Sequence, residues 1–268
     1  MGEWEQWMRA AGMSPRTITD RIQLVARFEA VTAASSLAVP WQALAEFLAN
    51  EAYSPGTRQT YYAHLRAWFG WLARMDHRLD DPTIKLAPPR GPKRKPRPIT
   101  LEQLTRILET RMHHRTRAMV LLGAYQGLRV SEISRVRGTD LRGDSLRVLG
   151  KGGRVDDLPL HDLVTAIAAT MPRTGWWFPS HTAFGPIRSK SVSAMLSNLM
   201  GRAGVHATPH ALRHFFGTET LRVTGNLELT RQLMRHESVA TTSLYTEVDD
   251  SARRAAIAAL PRPLAPAA

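Results

Sequence analysis

The run APPRGPKRKPRP, Ala87 to Pro98, sets the organisation of this chain. Its prolines forbid a continuing helix and five basic residues stand among them, so it reads as an extended linker between two folding units. A chain of 268 residues is long enough for two domains that each bury an apolar core. The expected boundaries are a helical domain over 1–87, a basic, proline-rich linker over 88–98, a second domain over 99–248 and a tail over 249–268.

On the N-terminal side, Ser14-Pro15 and Ser54-Pro55 each set a capping hydroxyl before a proline at the first helical position, which predicts two helix starts. The second helix continues through Tyr61, Leu65, Trp68, Phe69 and Leu72 as an apolar stripe, with Arg58, Tyr62 and Arg66 expected to share another face. Trp41 to Leu48 lies between them, and an all-helical domain follows.

On the C-terminal side, Thr100 and Gln103 form a capping box and Ile99 can staple onto Leu104. Arg117 to Gln126 predicts a buried helix stopped by Gly127, after which Ser131 is expected to cap a short helix carrying Glu132 and Ile133, leaving Arg129 exposed on the turn. Ser145–Leu149 and Val155–Leu160 predict two strands joined by Gly150-Lys151-Gly152-Gly153, with Lys151 at the tip. From Ser191 the pattern is helical again, broken near Gly204, Gly225 and His236, with a last alanine-rich helix around Ala252 to Leu260. The fold class is mainly α with a small antiparallel β-sheet.

Composition narrows the function. Lys and Arg number 36 against 23 Asp and Glu, a net charge of +13, which favours a polyanionic partner, nucleic acid first. No cysteine is present, so thiolate metal sites, disulfides and a cysteine nucleophile are excluded. Met1 to Ala10 carries Glu3 and Glu5 and no basic-then-apolar signal, and no apolar stretch is long enough to span a bilayer, so no membrane partner and a cytoplasmic location are expected. His113, His114, His181, His206 and His214 form no metal-ligand pattern, and the adjacent pair His113-His114 is expected to point its side chains apart. The acidic pairs Asp156-Asp157 and Asp249-Asp250 lack the partner motif a metal-dependent nuclease needs. No metal and no cofactor are expected.

The most informative run is Thr208-Pro-His-Ala-Leu-Arg-His214, in which His210 and Arg213 stand three apart and share one helical face. Arginine suits phosphate because its planar fork donates two hydrogen bonds and keeps its charge at any relevant pH. The pair alone is common on helix surfaces, so its meaning depends on what converges with it. Gly127-Leu-Arg-Val-Ser-Glu-Ile133 stands upstream, Lys151 on its hairpin, and Leu233-Met-Arg-His-Glu-Ser-Val-Ala-Thr-Thr-Ser-Leu-Tyr-Thr246 downstream, with His236 nine positions before Tyr245.

This ordered set, from about Thr100 to Tyr245, resembles the signature of the tyrosine recombinases of the phage integrase family. The resemblance implies a helical core-binding domain and an α+β catalytic domain. It implies a site-specific recombinase that integrates or excises phage or mobile-element DNA without metal or ATP. Arg129 and Arg213 would clamp the non-bridging oxygens of a phosphate, Tyr245 would be the nucleophile and His210 its base. Lys151 would be the general acid and His236 a further hydrogen-bond donor to the phosphate. Glu132 has two readings, a residue that orients nearby basic groups or a simple helix-cap acid.

The same resemblance implies core-type sites on double-stranded DNA, a homotetramer on two duplexes and room for a host DNA-bending factor. Arg58, Arg66, Lys93, Arg94 and Lys95 would meet DNA phosphates while the two domains close a C-shaped clamp. The small apolar face of residues 249–268 would dock on a neighbouring protomer or on its own domain. Two departures stand out: Arg235 where the family has glycine before its histidine, and no arm-binding domain ahead of Ser14. A type IB topoisomerase uses nearly the same residues, and a non-catalytic DNA-binding protein would account for the charge alone.

Overall fold

The computed structural model describes residues 1–90, 97–150 and 153–235, so Lys93, Arg94, Lys95, Lys151, His236, Tyr245 and the tail lie outside the described residues. The chain forms two compact units, Met1–Arg94 and Lys95–Ala268.

The first unit is helical: α1 (Gly2–Ala10), α2 (Pro15–Thr32), α3 (Trp41–Ala49) and α4 (Pro55–Arg74), followed by a 3-10 turn over Pro82–Lys85. Ser14 and Ser54 cap as their sequence predicts, each hydroxyl accepting the N–H of the residue three on, Thr17 and Thr57, with proline at the first turn. The opening segment, read in sequence only for the absence of a signal, is α1. Its Trp4 and Met8, one helical turn apart, are fully buried, and Trp4 packs 4.8 Å from Trp68 of α4. Phe28 fills the centre, edge-on to Phe47 and Phe69.

One face expected of α4 is not observed. Tyr62 is 6% exposed and belongs to this core, its hydroxyl donating to the Leu86 carbonyl, while Arg66 is exposed. Arg58 is half-buried and donates from Nη2 to the Asn50 carbonyl at 3.1 Å. Positions four apart drift about 40° in one direction around a helix, so Tyr62 still borders the stripe of Leu65 and Phe69 while Arg66 has passed beyond it to solvent.

The second unit begins with α5 (Leu101–Glu109), whose Thr100–Gln103 capping box forms as read and whose Leu104 shares a core with Ile99. At its centre is α6 (His114–Tyr125), with every residue from Ala118 to Ala124 buried, as an all-round apolar helix must be. α6 starts earlier than expected because His113 caps it, Nδ1 accepting the Arg115 N–H. That non-helical backbone at His113 folds its ring over His114, with centroids 4.2 Å apart, so these side chains do not diverge as predicted.

A three-stranded antiparallel sheet follows in the order β1 (Leu141–Arg142), β2 (Ser145–Leu149), β3 (Val155–Pro159). Leu146, Val148 and Leu158 turn into the core, while the cross-strand partners Arg147 and Asp157 form an ion pair outside. Gln126 anchors the end of α6 to the sheet, donating to the Pro159 carbonyl and accepting the His161 N–H. The remaining helices are α7 (Val130–Ile133), α8 (Asp162–Ala168), α9 (Ser189–Arg202), α10 (His210–Thr224) and α11 (Leu227–Met234). The molecule is therefore mainly α with a small antiparallel sheet, and among the described residues no helix is long and apolar enough to cross a membrane.

Candidate active site

The site is built at the ends of helices that α6 brings together. Gly123 of α6 faces Leu212 of α10, where an added Cβ would lie 3.1 Å from the leucine Cβ, so glycine lets the two helices approach closely. At its C-terminus α6 closes with the Leu128 N–H donating to the Leu122 carbonyl, and Gly127 takes φ +59°, the left-handed conformation this closure needs. The chain then turns back at once into α7.

Arg129, not Ser131, occupies the N-cap of α7. Without a capping hydroxyl there, Glu132 reaches back and accepts the Arg129 N–H on Oε2 at 2.8 Å, while Oε1 accepts from Arg129 Nη1 at 2.9 Å. Glu132 therefore meets both the backbone N–H and the guanidinium of Arg129. The Arg129 side chain remains 37% exposed, available to an anion from solvent.

Arg213 arrives from the first turn of α10 and is 2% exposed. Its Nη1 donates to the Gly127 carbonyl, its Nη2 to the Met234 carbonyl, and it stands 4.0 Å from Glu132. His210, one turn earlier, is exposed. Partial burial of its ring, then the charges of Arg213 and Arg129, lower its pKa from the ordinary histidine value, which leaves it neutral at neutral pH. His214 packs edge-on against it at 4.4 Å and is pushed down to about 4 by burial, by His210 and by Arg213.

A third arginine completes the group. Arg235 ends α11 in the left-handed conformation, φ 54° and ψ 46°, at the position where the family's glycine would stand. A residue with a Cβ costs about 1–2 kcal/mol there. Its guanidinium donates to Glu132 Oε2 at 2.7 Å and to the Gly127 carbonyl at 3.3 Å, and its own carbonyl accepts from Arg129 Nη2 at 3.4 Å. Burial alone would raise the Glu132 pKa, but Arg235, the Arg129 N–H, Arg213 and the Arg129 side chain together hold it below the usual carboxylate value.

The structure thus brings Arg129, Glu132, His210 and Arg213 together and adds Arg235, which sequence reading noted only as a departure. The signal was there, a bulky cation in a glycine position, but its partner is 103 residues away. Lys151, His236 and Tyr245 are outside the described residues, and Arg58 and Arg66 lie on α4 of the first unit. Among the described residues no cluster of three His, Asp or Glu side chains could hold a metal, and Asp156 and Asp157 pair with Arg154 and Arg147. The arrangement offers a phosphate the exposed guanidinium of Arg129 beside the imidazole of His210, backed by the buried Arg213 and Arg235, which Glu132 and backbone carbonyls hold.

Residues 97–252 match the model described as the phage integrase family. The tyrosine recombinase XerC of Xanthomonas campestris pv. campestris (strain B100) is 31% identical over 209 residues, 73% of this chain and 65% of the relative, so the chain covers slightly less than two thirds of that relative's length. An integrase from mycobacterium phage Brujita is 39% identical, with a TM-score of 0.53, covering 96% of this chain and 90% of that one. A lambda integrase dimer bound to a COC′ core site has a TM-score of 0.75 at 16% identity over 90% and 94% of the two chains, a likeness of fold alone.

Proposed function

Because this chain belongs to the phage integrase family, the tyrosine recombinases, we propose that it is a site-specific DNA recombinase that cleaves and rejoins strands through a 3′-phosphotyrosine on Tyr245. The observation that carries this reading is the convergence of Arg129 and Arg213 on Glu132, with His210 near enough to feel the charge of both arginines.

The two guanidiniums bind the non-bridging oxygens of one backbone phosphate and stabilise the charge that grows there as phosphorus becomes five-coordinate. The phenol oxygen of Tyr245 bonds to phosphorus as the bond to the 5′ oxygen breaks. A phenol titrates near ~10, so it needs a base, and the neutral imidazole of His210 takes its proton. Lys151 donates a proton to the departing 5′ oxygen, and His236 hydrogen-bonds the phosphate. The phosphotyrosine ester keeps the energy of the broken bond, so a 5′ hydroxyl of another strand reverses the step without ATP or metal.

Arg58, Arg66 and the linker residues Lys93, Arg94 and Lys95 hold DNA phosphates at core-type sites on double-stranded DNA. Recombination needs four cuts, which calls for four protomers on two duplexes, with residues 249–268 as the segment that joins neighbours. The likeness to the phage Brujita integrase, over most of both chains, supports integration or excision of phage or mobile-element DNA.

The test is trapping. Wild type and Tyr245→Phe are incubated, without metal, with a nicked suicide duplex carrying the core site. A denaturation-resistant protein–DNA adduct in wild type alone is expected. Its absence on a bound site overturns the catalytic reading in favour of simple DNA binding. On intact duplexes, religation of the cut strand in place of exchange between two duplexes would point to a type IB topoisomerase.

A further inference from the structure

Arg235 stands where a glycine would be conformationally easier, yet its side chain is 3% exposed and committed to fixed partners. Those partners are the ones that hold the two clamp arginines. Glu132 Oε2 accepts from both the Arg235 guanidinium and the Arg129 N–H. The Gly127 carbonyl accepts from both Arg235 and Arg213. The Arg235 carbonyl in turn accepts from Arg129 Nη2. The end of α11 is thereby tied to the N-cap of α7 and, through Gly127, to the first turn of α10.

We propose that Arg235 is a positioning residue for strand cleavage, setting the Arg129 and Arg213 guanidiniums in one geometry through Glu132 and the Gly127 carbonyl. This rests on the recombinase reading above. The physical argument is that each clamp arginine has torsional freedom that a fixed acceptor removes, and a guanidinium bridging both acceptors fixes them relative to one another. Glycine at 235 would suit the backbone better and would leave both acceptors with one donor fewer. A purely structural role predicts that Arg235→Gly shifts the urea midpoint, relief of the left-handed strain set against loss of the buried ion pair with Glu132, and leaves the cleavage rate of the folded protein unchanged.

The experiment compares wild type, Arg235→Gly and Arg235→Lys for folding by urea denaturation, for DNA affinity, and for the single-turnover rate of adduct formation on the suicide duplex. Arg235→Gly is expected to stay folded, to bind DNA within about twofold of wild type, and to cleave at least about tenfold more slowly. Arg235→Lys, which restores a cation but not the fork, should recover part of that rate. Free guanidinium at millimolar concentration should speed Arg235→Gly but not wild type. Folded, DNA-binding Arg235→Gly that cleaves at the wild-type rate overturns the inference, and so does a loss of DNA affinity equal to the loss of rate. Absence of adduct in wild type removes the recombinase reading itself, a separate outcome.

Discussion

The ring of Phe216 in α10 lies so close over Gly127 that a Cβ added there would be 2.5 Å from its Cδ1. This one contact explains why the α6–α7 turn, which presents Arg129, needs glycine for two reasons at once, φ and space.

Gly127→Ala should therefore lower stability by about 2 kcal/mol or more, the left-handed penalty plus the clash. Urea denaturation measures it. Pairing the change with Phe216→Leu should recover part of the loss, and full additivity of the two single changes would show that the ring is not responsible.

Glu132→Gln leaves guanidiniums without their buried counter-charge, and about 3 kcal/mol of stability should be lost, the usual cost of removing one partner from a buried pair. Because the native pKa of Glu132 is held below its unfolded value, its contribution is complete above the unfolded pKa of about 4.3 and lost as pH falls through the native one. The variant should accordingly show a weaker acid dependence of its urea midpoint than wild type.

His214 is pushed down to about 4, while an unfolded histidine titrates near ~6.5. Between these values the unfolded chain binds a proton that the folded chain refuses, so stability is complete above pH ~6.5 and declines as pH falls towards 4. His214→Asn should flatten that decline. An unchanged slope of urea midpoint against pH would assign the dependence to other groups.

Arg66 is exposed on α4 and Arg58 is bonded to the Asn50 carbonyl. Arg66→Ala should weaken DNA binding with little change in stability and reduce the salt slope by about one. Arg58→Ala should also lower the melting temperature by a few degrees, since it removes a backbone anchor. Equal melting temperatures for the two variants would contradict the difference in their contacts.

The N-caps at Ser14, Ser54 and Thr100, the hairpin strands, the buried run of α6 and the breaks at Gly127, Gly204 and Gly225 were legible in the sequence, because each depends on groups a few residues apart. The family and the pairing of His210 with Arg213 on one turn were legible for the same reason, as ordered local motifs. The inward turn of Tyr62, the cap of α7 by Glu132 rather than Ser131, and the stacking of His113 on His114 were not. The first is decided by the segment at Leu86 that packs over α4, and the other two are choices among locally similar backbone and side-chain conformations that residue pattern does not rank. Tertiary structure alone determined that Arg235 and Arg213 meet Glu132 and Gly127, across 103 and 86 residues of chain. No periodicity encodes such a meeting. It follows from the close packing of α10 on Gly123 of α6, which sets the first turn of one helix beside the last turn of the other.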